Sequence, residues 1–194
     1  MKRVCVYCSS SGRVSPVYLE AARALAREIT GAGLDLVYGG ADVGLMGLVA
    51  AGVKEGGGRV IGIIPEKLSA LGWTGCDEIV VTPDMRSRKK KMEELADGFV
   101  ALPGGFGTLE EILEIITLKQ LQYHAKPVVF LDTAGFYQDL LRLFSRIFED
   151  GFARPEFSGL YHLVAEPDEA VRYLLGYQPP PPIEKWGMER TVPR

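Results

Sequence analysis

The chain has 194 residues, of which 47% are hydrophobic and 24% charged. That suffices for one compact α/β core and excludes a disordered chain. Its 22 basic and 25 acidic residues leave a net charge of −3, so no global basic field recruits nucleic acid.

No apolar run approaches the about 20 residues of a membrane span, and no cleavable leader is read after Lys2 and Arg3. The three cysteines, Cys5, Cys8 and Cys76, suit a reducing cytoplasm better than a disulfide framework.

Strand-like and helix-like segments alternate along the chain. Val4–Tyr7 reads as a strand. Ser15-Pro16 then supplies an N-cap and a first-turn proline. Leu19, Ala22, Leu25, Ala26 and Ile29 recur at helical spacing, and Gly31 is expected to stop that helix.

Leu34–Tyr38 is the next strand, ended by Gly39-Gly40, with a helix from Leu45 to Glu55 after it. Val60–Ile64 is a strand ended by Pro65, residues 66–77 read as irregular, and Ile79–Val81 is a short strand. Asp84–Ala96 is a charged helix, Phe99–Leu102 a strand, and Leu109–Leu121 a helix. Val128–Leu131, Tyr137–Glu149, Leu163–Val164 and Glu169–Leu174 continue the alternation.

This order implies a doubly wound, mostly parallel sheet with helices on both faces. Residues 1–178 are expected to form one domain, and 179–194, which open on Pro179–Pro182, a proline-rich tail.

In such folds ligands sit beyond the carboxyl ends of the strands. Three segments occupy that position: Cys8–Gly12, Gly39–Gly47 and Pro103–Glu111. The second and third set glycines between a strand end and a helix start, where free amides and the helix dipole can hold a phosphate. A tight turn without a ligand explains either loop alone, and neither has dinucleotide or P-loop spacing.

Thr108-x-x-Glu111 is also the capping-box pattern, and on the residues alone that is the favoured role. Yet Glu111 shares a helical stripe with Ile115 and Leu118, while Glu110 and Glu114 point elsewhere. A carboxylate so placed beside an anion loop could also do chemistry.

Arg86, Arg88, Lys89, Lys90 and Lys91 form a basic cluster, for which a solvated face is the ordinary reading. Periodicity divides it. Arg88 lies within the stripe of Met85, Met92, Leu95 and Ala96, Lys89 borders that stripe, and the others fall outside. A guanidinium on a core-facing stripe needs an anion, so Arg88 is expected to face a ligand cleft rather than a structural carboxylate.

Cys5 and Cys8 read as small core residues, since Cys5 lies within a strand rather than at a helix start. His124 and His162 lack the company of a metal site.

Together these segments resemble the Lonely Guy family of cytokinin riboside 5′-monophosphate phosphoribohydrolases, also labelled lysine decarboxylase-like. The likeness covers roughly residues 3–175. It rests on P-G-G-x-G-T-x-x-E at Pro103–Glu111, M-x-x-R-K at Met85, Arg88 and Lys89, and G-L-M-G at Gly44–Gly47. Val4–Cys8 followed by Ser10, Lys126-Pro127-Val128 and Gly151-Phe152 also fit. Departures are Ala41 and Ser9 where the family usually has glycine, Arg86 for a histidine, and no acidic residue in Leu68–Cys76.

The resemblance implies a Rossmann-like fold and hydrolysis of the N-glycosidic bond of a purine nucleoside 5′-monophosphate, such as AMP or isopentenyladenosine monophosphate, without metal or cofactor. It assigns the catalytic pair to Arg88 and Glu111. It places substrate and phosphate contacts at Lys89, Gly104, Gly105, Phe106, Gly107, Thr108, Glu110 and Thr117, and at Ser10, Gly40, Gly44 and Met46. Arg88 is expected to hold Glu111 ionised, and the chain to form a homodimer. The competing readings are a non-catalytic nucleotide or molybdenum-cofactor carrier of the same fold, and a decarboxylase, for which no lysine has a pyridoxal context.

Overall fold

A computed structural model describes residues 1–181. Its strands are β1 (Arg3–Tyr7), β2 (Asp35–Tyr38), β3 (Val60–Pro65), β4 (Glu78–Thr82), β5 (Gly98–Ala101), β6 (Val128–Leu131) and β7 (His162–Val164). Its helices are α1 (Pro16–Gly31), α2 (Gly44–Glu55), α3 (Met85–Leu95), α4 (Phe106–Gln120), α5 (Gln138–Glu149) and α6 (Pro167–Gly176). The strands form one sheet in the order β4-β3-β2-β1-β5-β6-β7, and every pairing is parallel.

Apart from Arg3 at the start of β1, strands β1, β3, β5 and β6 carry no charged residue, because both faces of the sheet are covered. Alternate side chains enter opposite layers. Val4 and Val6 join Leu36, Val100 and Val129 under α1, α2 and α6, through Leu25, Val49 and Leu174 among others. Cys5 and Tyr7 join Val37, Ile63, Phe99 and Phe130 on the other face, where Met92 of α3 and Ile112 and Ile115 of α4 cover them. Cys5 and Cys8 are buried free thiols in this packing.

The chain steps outward from β1 to β4, then crosses back so that β5 pairs with the other edge of β1. The connections after β1 and β5 therefore leave in opposite directions and open a crevice between them.

Several local expectations shift. The α1 helix does end at Gly31, but on a C-cap of Ala32, and the left-handed turn after it falls on Gly33 (φ 68°). Ser15 occupies the N-cap position without a side-chain capping bond. Within residues 66–77 the chain makes a 3-10 turn over Glu66–Leu71 instead of remaining irregular. Pro179–Pro181 carry no regular structure, and the rest of the expected tail lies outside the described residues. Among the described residues no helix is long and apolar enough to cross a membrane.

Leu25 is fully buried in the first layer. Leu25→Ala is expected to cost about 2–5 kcal/mol, read as a lower urea midpoint with an unchanged slope.

Candidate active site

The α4 helix begins at Phe106 on an N-cap of Gly105, so Thr108 sits inside its first turn. This overturns the capping-box reading: α4 has no side-chain cap and no acidic residue in its first turn. The first intrahelical bond shown runs from Leu109 N–H to the Gly105 carbonyl at 3.1 Å. The amides of Phe106, Gly107 and Thr108 are thus the orphan donors of a helix start. By contrast, Asp84 caps α3 by accepting from Ser87 N–H at 2.8 Å. The α2 start is partly closed as well, because Leu45 N–H donates to the Ser9 carbonyl at 3.0 Å.

A cavity of about 570 Å³ opens over the crevice between β1 and β5. Cys8–Ser11 after β1 form one wall, and Gly105–Thr108 with Glu110 and Glu111 form the facing one. Gly39, Val43, Met46 and Arg88 close the floor side, while Ile64, Leu68, Leu71 and Met85 add an apolar margin.

Arg88 and Glu111, on α3 and α4, are only 8% and 9% exposed. Arg88 Nη1 lies 3.6 Å from Glu111 Oε1, an ion pair longer than a direct hydrogen bond. Arg88 Nε donates to the Ile63 carbonyl at 3.1 Å, which orients the guanidinium.

Gly39 leaves the room this requires. A Cβ there would lie 1.9 Å from Arg88 Nη2 and 2.6 Å from Met46 Cε. Gly44, at φ 55°, brings the start of α2 onto the loop after β1, where a Cβ would stand 2.4 Å from the Ser10 carbonyl carbon.

Burial pushes the Glu111 carboxyl up to about 7, against the nearby Arg88 charge, which favours the ionised form. Glu110 and Glu114 push it further up, and Lys89 opposes them. The expectation that Arg88 simply holds Glu111 ionised is therefore corrected: desolvation outweighs the arginine. A carboxyl balanced near neutrality can take or give a proton at physiological pH.

Of the residues expected at the site, the cavity gathers Arg88, Glu111, Glu110, Gly105, Phe106, Gly107, Thr108, Ser10 and Met46. It does not gather Lys89, whose ammonium lies in the seam between α3 and α4, bonded to Glu110 and, at 2.8 Å, to Glu114. Thr117 is exposed farther along α4, and its hydroxyl donates to the Leu113 carbonyl at 2.8 Å. Gly40, Gly44 and Gly104 lie outside the lining; Gly104 makes space for the Thr108 hydroxyl, 2.1 Å from where its Cβ would be.

The sequence reading missed Leu68 and Leu71 as cavity residues. Their three-residue spacing just after Pro65 is the signal of a short helical turn. It also missed the clearance role of Gly39, which depends on an arginine 49 positions away.

Because the Glu111 carboxyl titrates higher in the folded chain than its ordinary 4.5, the native state holds the proton more tightly than the unfolded one. Stability tied to this group is full below about pH 4.5 and is lost as pH rises through 7. Glu111→Gln removes that loss. Urea unfolding should show the variant gaining about 2–3 kcal/mol relative to the wild type between pH 5 and pH 8.

The family described as "Possible lysine decarboxylase" matches residues 46–174. The chain is 44% identical to cytokinin riboside 5′-monophosphate phosphoribohydrolase LOG7 of Arabidopsis thaliana, over 92% of this chain and 83% of that one. It is 43% identical to the probable cytokinin riboside 5′-monophosphate phosphoribohydrolase LOGL2 of Oryza sativa subsp. japonica, over 92% of this chain and 74% of that one.

Among solved structures it is similar to the molybdenum cofactor carrier protein of Chlamydomonas reinhardtii, with a TM-score of 0.72, 25% identity, and coverage of 91% of this chain and 99% of that one. That likeness lies in the Rossmann-like fold. The sequence relatives match across nearly the whole chain, and the matched family range spans α3 and α4. The chain belongs to the cytokinin riboside 5′-monophosphate phosphoribohydrolase family.

Proposed function

We propose that this protein hydrolyses the N-glycosidic bond of purine and cytokinin nucleoside 5′-monophosphates, such as AMP and isopentenyladenosine monophosphate, to free base and ribose 5-phosphate. The observation that carries this reading is the placement of a buried arginine–glutamate pair and an uncapped helix start in one cavity.

The 5′-phosphate docks on the amides of Gly105–Thr108, where the positive end of the α4 dipole favours an anion. The dock fixes the ribose over Glu111 and converts binding into orientation. Rupture of the bond to the base leaves positive charge on the ribose ring, which the Glu111 carboxylate stabilises. The same carboxylate orients the attacking water and takes its proton. The water hydroxyl ends on C1′, and the proton taken by Glu111 passes through solvent to the departing base, which restores the carboxylate. Arg88 lies against Glu111 and lines the same cavity, where its guanidinium contacts the ribose or phosphate.

The apolar margin of Ile64, Leu68, Leu71 and Met85 supplies a surface for the base side. Every step runs on these side chains and backbone amides. The working protein is a homodimer in the cytoplasm, as the family resemblance implies.

Glu111→Gln and Arg88→Ala are each expected to lower turnover of AMP by at least about 100-fold, measured by chromatography of released adenine. Wild-type activity should rise about tenfold per pH unit up to a midpoint near 7, the value at which Glu111 ionises. Nucleotide binding without base release would instead identify a carrier.

Gly39→Ala should leave the protein folded by circular dichroism while reducing turnover by at least about tenfold, because the new methyl displaces the guanidinium.

A further inference from the structure

A second cavity lies apart from the nucleotide cavity and shares no lining residue with it. It encloses about 280 Å³ between the C-terminal end of α4, the 3-10 turn Pro155–Leu160 and the chain that follows α6. Ala125, Phe157, Leu160 and Pro180 make much of its lining apolar, and among the described residues no carboxylate lines it. Lys119 belongs to this lining, although it is only 7% exposed.

Lys119 Nζ donates to the Leu160 carbonyl at 3.0 Å and stands 4.8 Å from the centre of the Tyr177 ring. An ammonium carries three donors, so one carbonyl and one ring face leave it short of partners. Burial alone lowers its titration to about 8, with no carboxylate beside it to hold the charge. The other titratable groups on the lining supply no charge: burial keeps His124 neutral, at about 4, and raises the Tyr177 phenol. The Tyr177 hydroxyl is itself buried without a hydrogen-bond partner among the described residues.

A cation in the last turn of α4 suits the helix dipole. A lysine turned to solvent would meet that preference without the cost of burial. An apolar side chain of like length would meet the packing need alone, also without that cost. What neither alternative offers is a desolvated positive charge on the wall of an apolar cavity.

We propose that this cavity is a second ligand site, which takes a small monocarboxylate with its head on Lys119 Nζ and an apolar body against Phe157, Leu160 and Pro180. The head carries a single charge because one ammonium faces it, and a phosphate dianion would find no second cation on the lining. The body is apolar because the surface that receives it is. The volume lies just below the roughly 300–1,000 Å³ of ordinary ligand pockets, which limits the ligand to a short aliphatic or single-ring acid. Pairing of the two charges away from bulk water is stronger than the same pairing at the surface.

The test is a titration of nitrogen-15-labelled full-length protein with sodium benzoate at pH 7, followed through the backbone amides. Saturable shifts should centre on residues 119–125 and 157–160 and on Tyr177. Benzyl alcohol, which has the same ring and no charge, should bind at least about tenfold more weakly, and inorganic phosphate should leave these amides unmoved. Between pH 7 and pH 9 benzoate affinity should fall about tenfold, as the ammonium loses its proton. Lys119→Met should weaken benzoate by at least about tenfold.

The absence of a saturable shift in the wild type overturns the proposal. Benzyl alcohol bound as tightly as benzoate also overturns it, because that marks an apolar crevice without a charge-reading head. Phosphate bound as tightly as benzoate overturns the ligand class, and shifts centred on residues 105–111 place benzoate in the nucleotide cavity instead. Unchanged binding in Lys119→Met, or unchanged affinity between pH 7 and pH 9 should that variant fail to fold, removes the lysine from the site and the proposal with it.

Discussion

The site depends on an imbalance between desolvation and ion pairing. Glu111 is buried far enough that water no longer stabilises its charge, and Arg88, 3.6 Å away, repays only part of that cost. A closer, bidentate pair would hold the carboxyl firmly ionised and structurally occupied. A more distant arginine would leave it protonated in an apolar wall. The observed separation keeps a carboxyl whose proton is exchangeable near neutrality, in the wall of a cavity with room for a nucleotide-sized ligand. The surroundings hold the arginine in place: the Ile63 carbonyl orients the guanidinium and Gly39 clears its path, while Lys89 pairs with Glu110 and Glu114 across the seam between α3 and α4.

The sheet order explains why these parts meet. Arg88 follows β4 at one edge of the sheet, while Glu111 follows β5 near its middle. They approach because α3 crosses back over β3 and β2 on its way to β5, laying Met92 into the same layer as Ile112. The crevice at the ends of β1 and β5 then receives side chains from both directions of winding. Capping chemistry divides the helices by role. The α3 start is closed by its own aspartate, which frees its later turns for packing and for Arg88. The α4 start is left with unpaired amides toward the cavity. An acidic cap there would occupy the anion site, so its absence goes with the presence of glycines.

Likeness in fold does not separate a hydrolase from a carrier, because both need an anion loop at the switch point. What favours a hydrolase for this chain is its sequence relatedness to phosphoribohydrolases, together with the pair of ionisable groups beside the loop. A carrier needs only complementarity to its cargo in the ground state. A hydrolase needs groups whose charge answers the charge that develops as the bond breaks. A carboxyl poised near 7 over a phosphate-anchored ribose suits the second requirement.

Much of this was legible in the residues. The alternation of apolar runs and helical stripes specified a parallel α/β sheet with both faces covered. The i, i+3 and i+4 placement of Arg88 among Met85, Met92 and Leu95 marked it as an inward-facing cation, and Glu111 was legible in the same way through Ile115. These are local, periodic properties, set by the pitch of a helix or the pleat of a strand, and a chain cannot hide them.

The rest was decided only when distant elements were brought together. Whether Thr108 capped α4 or sat within it turned on where the helix began, and glycines permit either start. Lys89 bordered the same stripe as Arg88, yet it found partners across the seam with α4 instead of in the cavity. Thr117 shared a helix with Glu111 but came out facing solvent. Gly39 gained its meaning from an arginine delivered by another helix. In each case the deciding quantity was a distance between elements far apart along the chain, and the winding of the sheet sets that distance rather than any periodicity within one segment.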